Sequence, residues 1–284
     1  MTEPPACDAG AVMSGAVGAA LDRVDRDLGV EMRRVASEAR HRFRHRVGVE
    51  EVRAGDGGNA THAFDVDLED ALLRFFERAR LPVRFSSEER PDVDLVQDPQ
   101  LLALVDPLDG SDVAARGYPM CSIAVSIVDL ETQAPLLSRI AEVFTGAQYA
   151  ARDGAATLNG SPMRPSTVTA AADAFVVSYF ASRSRIRSFR ESSGWDSFRL
   201  VLNYGGMLDI AKVGSGQCDA MVEVLKGMVA REYVAGVHVA RTAGAIATTP
   251  SGDPVPTLLD RDARCRFVVA GTAQLHAELM GLFG

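Results

Sequence analysis

Side chains that could take part in catalysis or ligand binding are concentrated at residues 106–112, whose sequence is Asp-Pro-Leu-Asp-Gly-Ser-Asp. The apolar run at 101–105 predicts a buried strand, so we expect Asp106 at the carboxyl end of that strand, where α/β proteins usually bind ligands. Asp106 and Asp109 lie on one short turn, and two carboxylates held so closely repel each other unless a cation lies between them. Mg²⁺ prefers such oxygen ligands, and the Leu108 carbonyl offers another.

The next residues of this segment are suited to an anion. Gly110 and Ser111 offer backbone N–H groups and a hydroxyl that can bind a phosphate. Asp112 adds negative charge at the mouth of such a site, which is unfavourable unless an arginine or a cation offsets it. The same residue types also form ordinary surface turns, so the segment alone leaves both interpretations open.

Two further acidic pairs stand upstream. Glu88 and Glu89 follow the apolar residues of a predicted strand near 83–85, and Asp65 and Glu69 lie one helical turn apart behind a Gly-rich break at 55–59. Either pair is compatible with a solvated helix face or loop tip.

Hydrophobic periodicity shows which elements must position these side chains. Helices are predicted from about residue 12 to 35 and at 66–80, 198–213, 232–243 and 272–282. Strands are predicted at 101–105, 122–128, 141–144, 147–152, 175–179, 219–224, 246–248 and 267–270. Because helices and strands interleave throughout, the sequence predicts an α/β protein with layered sheets between helices.

Composition narrows the class of protein. The 284 residues are 47% hydrophobic and 24% charged, and the net charge of −8 argues against nucleic acid or an anionic membrane as partner. The longest stretch without a charged residue spans 13 residues (9–21), which is too short for a membrane helix. The arginine-rich segment 33–46 has no interleaved platform of aromatic residues on which RNA bases could stack, and a solvated helix face explains that segment. The four cysteines are scattered, so we expect a reduced, cytoplasmic protein.

Taken in order, the motifs resemble those of the inositol monophosphatase and fructose-1,6-bisphosphatase superfamily. The matching segments are Glu88-Glu89, the run 106–111, the stretches 55–58 and 64–69, the Asn-Gly-Ser-Pro turn at 159–162, and the small-residue run from 235 through 245 to 252. The resemblance covers roughly residues 10–280. Each segment alone is a weak indicator of this superfamily, whereas the whole set in this order is specific to it.

The resemblance implies a Mg²⁺-dependent phosphomonoesterase with a five-layer α-β-α-β-α sandwich, acting as a homodimer. It implies one unit over 1–284, with a metal- and phosphate-binding half at 1–160 and a substrate-side half at 161–284. By that resemblance Glu88, Asp106, Asp109 and the Leu108 carbonyl would hold two or three Mg²⁺. Asp65 and Ser111 would orient the attacking water together with Glu88.

The chain departs from the family pattern at the last metal ligand. Glu232 stands where the family has Asp, and its extra methylene moves the carboxylate by roughly 1.5 Å. Arg231 replaces a Trp, and two more residues than expected separate Asp219 from Glu232, which predicts a remodelled loop at 225–230. Arg231 could compete for the carboxylate or point to a substrate phosphate.

A second group of arginines, at 183–190, precedes the region that borders the substrate pocket in relatives. Arg183 and Arg185 are therefore candidates for clamping a second phosphate or acidic group, since Arg binds phosphate with a bidentate fork. A run that alternates Ser and Arg is also typical of a solvated loop.

Two classes of function remain. The first is Mg²⁺-dependent hydrolysis of a small phosphate monoester, such as an inositol, cyclitol or sugar phosphate, by metal-activated water, with fructose 1,6-bisphosphate or a 3′-phosphoadenosine phosphate as alternative substrates. The second is a non-catalytic or altered-specificity family member that binds a phosphorylated metabolite, an interpretation motivated by Arg231, Glu232 and Val113.

Overall fold

The computed structural model describes residues 15–54, 60–180, 182–204, 206–258 and 260–284. The helices are α1 Gly15–His45, α2 Ala63–Ala79, α3 Ser111–Ala114, α4 Arg183–Glu191, α5 Met207–Gly214, α6 Ala230–Thr242 and α7 Ala273–Phe283. The strands are β1 Glu51–Ala54, β2 Ala60–His62, β3 Val83–Ser87, β4 Val93–Asp94, β5 Leu101–Asp109, β6 Ser122–Asp129, β7 Pro135–Glu142, β8 Gln148–Arg152, β9 Ala155–Leu158, β10 Ser161–Pro162, β11 Phe175–Ser178, β12 Leu200–Asn203, β13 Ala220–Met228, β14 Ile246–Thr248 and β15 Cys265–Ala270.

The larger sheet has eight strands in the order β10-β9-β8-β7-β6-β5-β3-β4. Its pairs are antiparallel except β3 and β5, which run parallel with Ser87 opposite Val105. The carboxyl ends of these two strands therefore meet at one edge of the sheet. Strands β1 and β2 form a separate antiparallel pair.

The smaller sheet has five strands in the order β12-β11-β13-β15-β14. Strand β11 runs parallel to both β12 and β13, whereas β15 is antiparallel to its two neighbours. Strand β13 contains an irregularity between Glu223 and Met228, where its register against β15 shifts. The loop expected to be remodelled at 225–230 thus lies partly inside a bulged strand.

The two sheets lie within five layers. Helices α1 and α2 cover one face of the larger sheet and bury Leu28, Phe64 and Phe76 against it. Helices α5 and α6 lie between the sheets, where Ile210 and Tyr233 belong to a core cluster that includes residues of both sheets. Helix α7 covers the outer face of the smaller sheet. This arrangement confirms the predicted α-β-α-β-α sandwich.

One predicted element is wrong. The helix expected at 198–213 is strand β12 followed by the shorter helix α5. Residues 200–203 form a parallel ladder with β11 (Phe175 opposite Leu200), and Gly206 caps α5 with an extended backbone. The apolar spacing of this segment suits a helix as well as a strand, and pairing with β11 decides between them.

The remaining predicted elements are present with shifted ends. Strand β7 begins at Pro135 and ends at Glu142, so the strand predicted at 141–144 overlaps only its last two residues. Part of the first predicted helix and the Gly-rich break at 55–59 lie outside the described residues. None of the helices in the described part of the chain combines the length and hydrophobicity needed to cross a membrane.

Candidate active site

Asp106 lies inside β5, because the strand continues through the acidic segment to Asp109 rather than ending at residue 105. Opposite β6, Asp106 pairs with Ala124 and Asp109 with Ser122, so one extra residue forms a bulge between the two acids. Asp106 is 2% exposed, and its Oδ1 accepts the backbone N–H of Leu108 at 3.1 Å. Burial raises its pKa well above the usual value, and the charges of Asp109, Glu88 and Glu232 raise it further.

Asp109 faces the amino end of α5. The backbone N–H of Met207 donates to its Oδ2 at 2.8 Å. A Cβ added at Gly206 would overlap the Asp109 carboxylate, so residue 206 has no room for a side chain. Burial raises the pKa of Asp109 to about 7, the charges of Asp209 and Glu232 add to this, and the N–H groups of α5 oppose it.

Glu88 follows β3 and therefore stands beside the end of β5. Burial raises its pKa to about 7, and the charges of Glu232 and Glu89 contribute, whereas Arg231 lowers it. The charge of Glu88 raises the pKa of Asp106, although 18 positions of sequence separate the two residues. The parallel pairing of β3 and β5 brings them together.

Asp65 lies in the first turn of α2 and connects that helix to the cluster. Its Oδ2 accepts the backbone N–H of His62 at 2.8 Å, which caps the helix, while the buried Oδ1 has no hydrogen-bond partner among the described residues. Burial raises the pKa of Asp65 to about 8, with contributions from the charges of Glu89, Glu88 and Asp112.

Gly110 and Ser111 form the turn after β5. Gly110 has φ +85°, and a Cβ there would approach the Met120 carbonyl oxygen and the Tyr204 hydroxyl to 2.6 Å. The Tyr204 hydroxyl also donates to that carbonyl. Only glycine fits this position, and it directs the chain so that Ser111 begins α3 next to the carboxylates.

Glu232 lies next to the same acidic cluster and is carried by α6, in the layer between the two sheets. It lies in the first turn of α6, and its Oε2 accepts the backbone N–H of Val229 at 2.9 Å. Its negative charge raises the pKa of Glu88 and of Asp109. The replacement of Asp by Glu therefore keeps a carboxylate near the site.

The oxygen ligands of this site are of the type that a hard divalent cation binds. The carboxylates are not oriented toward one common position. Among the described residues, no three acidic, histidine or cysteine side chains are arranged as the ligands of a single ion. Backbone N–H groups hold three of the carboxylates: Leu108 holds Asp106, Met207 holds Asp109, and Val229 holds Glu232. A bound cation would reduce the repulsion between these carboxylates. A water on that cation would donate a hydrogen bond to Asp65 Oδ1, which has no partner among the described residues.

The arginines expected to bind substrate have different environments. Arg183 is exposed on α4, so this segment is a helix and not a loop. Arg185 is buried, and its Nη1 donates to Glu223 Oε2 at 2.6 Å, so its guanidinium serves an internal ion pair instead of a substrate. Arg231 donates to the Arg261 carbonyl at 2.9 Å, although its charge still lowers the pKa of Glu88.

Sequence reasoning missed several residues that shape the site. Gly206 and Tyr204 lie in the segment predicted as one helix, and Glu223 was treated only as part of a strand. Arg264 Nη1 lies 3.7 Å from Glu232 Oε2, although 32 positions separate the two residues. The Gly-Gly pair at 205–206 was a usable signal of a break, whereas nothing near Arg264 indicates its partner.

Comparison with known proteins identifies related folds and sequences. The structure of the Thermotoga maritima IMPase matches with a TM-score of 0.76 and 19% identity, over 92% of this chain and 96% of that one. A fructose-1,6-bisphosphatase/inositol-1-monophosphatase of Methanothermobacter thermautotrophicus is 26% identical over 87% of this chain and 93% of its own length. An inositol-1-monophosphatase of Synechocystis is 25% identical over 79% of this chain and 77% of its own length.

These matches and the layered fold define the chain as a phosphomonoesterase. The chain belongs to the inositol monophosphatase family, whose family model matches residues 21–283.

Proposed function

We propose that the chain hydrolyses a small phosphate monoester of a sugar or cyclitol in a Mg²⁺-dependent reaction. The observation that carries this proposal is that Glu88, Asp106 and Asp109 lie at the adjoining ends of β3 and β5, where burial and neighbouring acids raise the pKa of each. Such a cluster is unfavourable without a cation, and family membership supports the same chemistry.

The proposed ligands are Glu88, Asp106, Asp109 and the Leu108 carbonyl, all at the adjoining ends of β3 and β5. Glu232 lies beside them, and its Oε2 accepts the backbone N–H of Val229. When bound, Mg²⁺ supplies a more acidic water and stabilises negative charge on the attacking and leaving oxygens.

The other residues of the site position the reactants. The N–H groups of Gly110 and Ser111 would donate to phosphoryl oxygens. The unpartnered Oδ1 of Asp65 would accept a hydrogen bond from the attacking water, and Glu88 and the Ser111 hydroxyl would orient that water from other sides. No covalent intermediate on the protein is needed.

A bisphosphate is the second candidate substrate. The relative from Methanothermobacter thermautotrophicus carries both activities in its name, and fructose 1,6-bisphosphate has the same monoester chemistry at its scissile group. A homodimer and a cytoplasmic location, together with Arg183 as a contact for an acidic substrate group, stay predictions. Light scattering after size-exclusion chromatography tests the dimer directly.

A phosphate-release screen tests the proposed function. The panel contains inositol, hexose, nucleotide and amino-alcohol phosphates and fructose 1,6-bisphosphate, each with and without Mg²⁺, and Asp106→Asn is the control. We expect release from a cyclitol or sugar phosphate that requires Mg²⁺ and is lost in the variant. A protein that releases no phosphate from the whole panel but binds one of these compounds would be a non-catalytic binder.

A further inference from the structure

The irregular part of β13 is held by charged side chains. Gly227 lies within it with φ +77°, and its N–H donates to Glu223 Oε1 at 2.9 Å. The Gly227 carbonyl accepts from both Arg185 Nη2 and Arg264 Nη1, each at 3.1 Å. A Cβ at residue 227 would approach the Cys265 carbonyl oxygen to 2.6 Å, so a glycine is needed there. This bulge therefore fixes where the Arg264 guanidinium lies.

The same nitrogen of Arg264 faces the acidic cluster. Nη1 lies 3.7 Å from Glu232 Oε2, which is also the oxygen that accepts the Val229 N–H. The Arg264 side chain is 43% exposed and that of Glu232 25%, so the pair lies at the rim of the site. One carboxylate oxygen of Glu232 thus has both an N–H donor and a positive charge beside it.

Neighbouring arginines are directed elsewhere. Arg231 donates to the Arg261 carbonyl, and Arg261 donates to the carbonyls of Ser87 at 2.5 Å and Arg90 at 2.6 Å. Among the described residues, the guanidinium that forms an ion pair with Glu232 is that of Arg264. Its role is therefore separable from the arginines that fasten the loop around residue 261.

We infer that Arg264 is a built-in counter-charge for Glu232, standing where a divalent cation would otherwise bind this carboxylate. The inference rests on the proposed cation site at Glu88, Asp106 and Asp109, and concerns how many cations that site takes. A guanidinium beside a carboxylate repels an arriving divalent ion and engages the oxygen that the ion would use. Glu232 then contributes little to cation binding while Arg264 is present.

The test is a titration of the full chain with Mn²⁺, in which free Mn²⁺ is followed by electron paramagnetic resonance. The proteins are wild type, Arg264→Gln, Arg264→Lys and the control Arg266→Gln, which changes an exposed arginine on β15. We expect Arg264→Gln to bind an additional Mn²⁺. Where wild type binds this ion weakly, the dissociation constant of the variant for it should be about tenfold lower than that of wild type. Arg264→Lys and Arg266→Gln should match wild type.

The double variant Arg264→Gln with Glu232→Gln identifies the ligand. It should lose the added Mn²⁺, and Glu232→Gln alone should leave the wild-type isotherm unchanged. Identical isotherms for wild type and Arg264→Gln, or a gain that persists in the double variant, would overturn the inference while leaving the proposed function standing. Absence of Mn²⁺ binding in every protein contradicts the proposed function and the inference with it.

Discussion

The carboxylate of Asp109 receives the backbone N–H of Met207 at 2.8 Å, across 98 positions of sequence. This contact joins the end of β5 in the larger sheet to the first residue of α5 in the layer between the sheets. The partial positive charge at the amino end of α5 favours the ionised form of the acid. The same contact requires a residue without a side chain at position 206.

Gly206→Ala should therefore impair the site. The backbone at Gly206 has φ −153°, which alanine adopts without strain, so the effect comes from overlap of the new methyl group with Asp109. We expect destabilisation of about 1–3 kcal/mol and a large loss of kcat, because Asp109 must move. Urea unfolding and phosphate release measure the two effects. Gly281→Ala in α7, where no atom lies within 4 Å of the added methyl group, is the matched control; it should leave activity unchanged and should not destabilise the protein, because alanine favours a helix more than glycine does.

Asp106→Asn should separate stability from activity. Removing one charge from a buried group of acids relieves repulsion, so the variant should unfold at a higher temperature than wild type when no divalent cation is present. Phosphate release should fall by at least about a hundredfold, since a proposed ligand is lost. Lower thermal stability of the cation-free variant would contradict the electrostatic account of this site.

The dependence of stability on pH follows from the raised pKa values. In the folded protein the pKa of Glu88 and of Asp109 is about 7 and that of Asp65 about 8, each above its unfolded value. The folded state therefore binds more protons, and without cations stability should fall as pH rises from about 5 to 8. Mg²⁺ binds the ionised forms, so the increase in Tm caused by Mg²⁺ should grow over this interval. Scanning calorimetry checks this, and an increase that is the same at every pH would contradict it.

Arg185→Met tests the internal role of this arginine. The Arg185–Glu223 pair is buried, with 6% and 0% of the side chains exposed, so removing one partner leaves an uncompensated charge. We expect a loss of about 3–5 kcal/mol in the free energy of unfolding. The exposed Arg183→Met on the same helix should leave stability unchanged. Equal stabilities of these two variants, with a raised KM only in Arg185→Met, would instead support a substrate role for Arg185.

The local parts of the site could be read from the sequence. Asp106, Asp109 and Gly110 occupy one short segment after an apolar run, and Glu88 follows a second apolar run, so their chemistry and order are visible without coordinates. Strand pairing then determines how they meet. The layered α/β class also follows from elements that interleave along the whole chain.

The rest depends on contacts between distant segments. Residues 200–203 form a strand because β11 lies beside them, and Arg185 is buried because Glu223 lies opposite it on β13. The approach of Arg264 to Glu232 results from the bulge around Gly227, which no periodicity indicates. Side-chain type alone therefore suggested a substrate role for Arg185 and none for Arg264.

Cation binding by the acidic cluster can be seen directly in a crystal structure of the protein soaked in Mn²⁺, with anomalous scattering recorded at the manganese edge. We expect anomalous peaks within coordination distance of the Glu88, Asp106 and Asp109 carboxylate oxygens and of the Leu108 carbonyl oxygen. An anomalous map without a peak between these groups, from crystals in which manganese is bound elsewhere or not at all, would contradict this expectation.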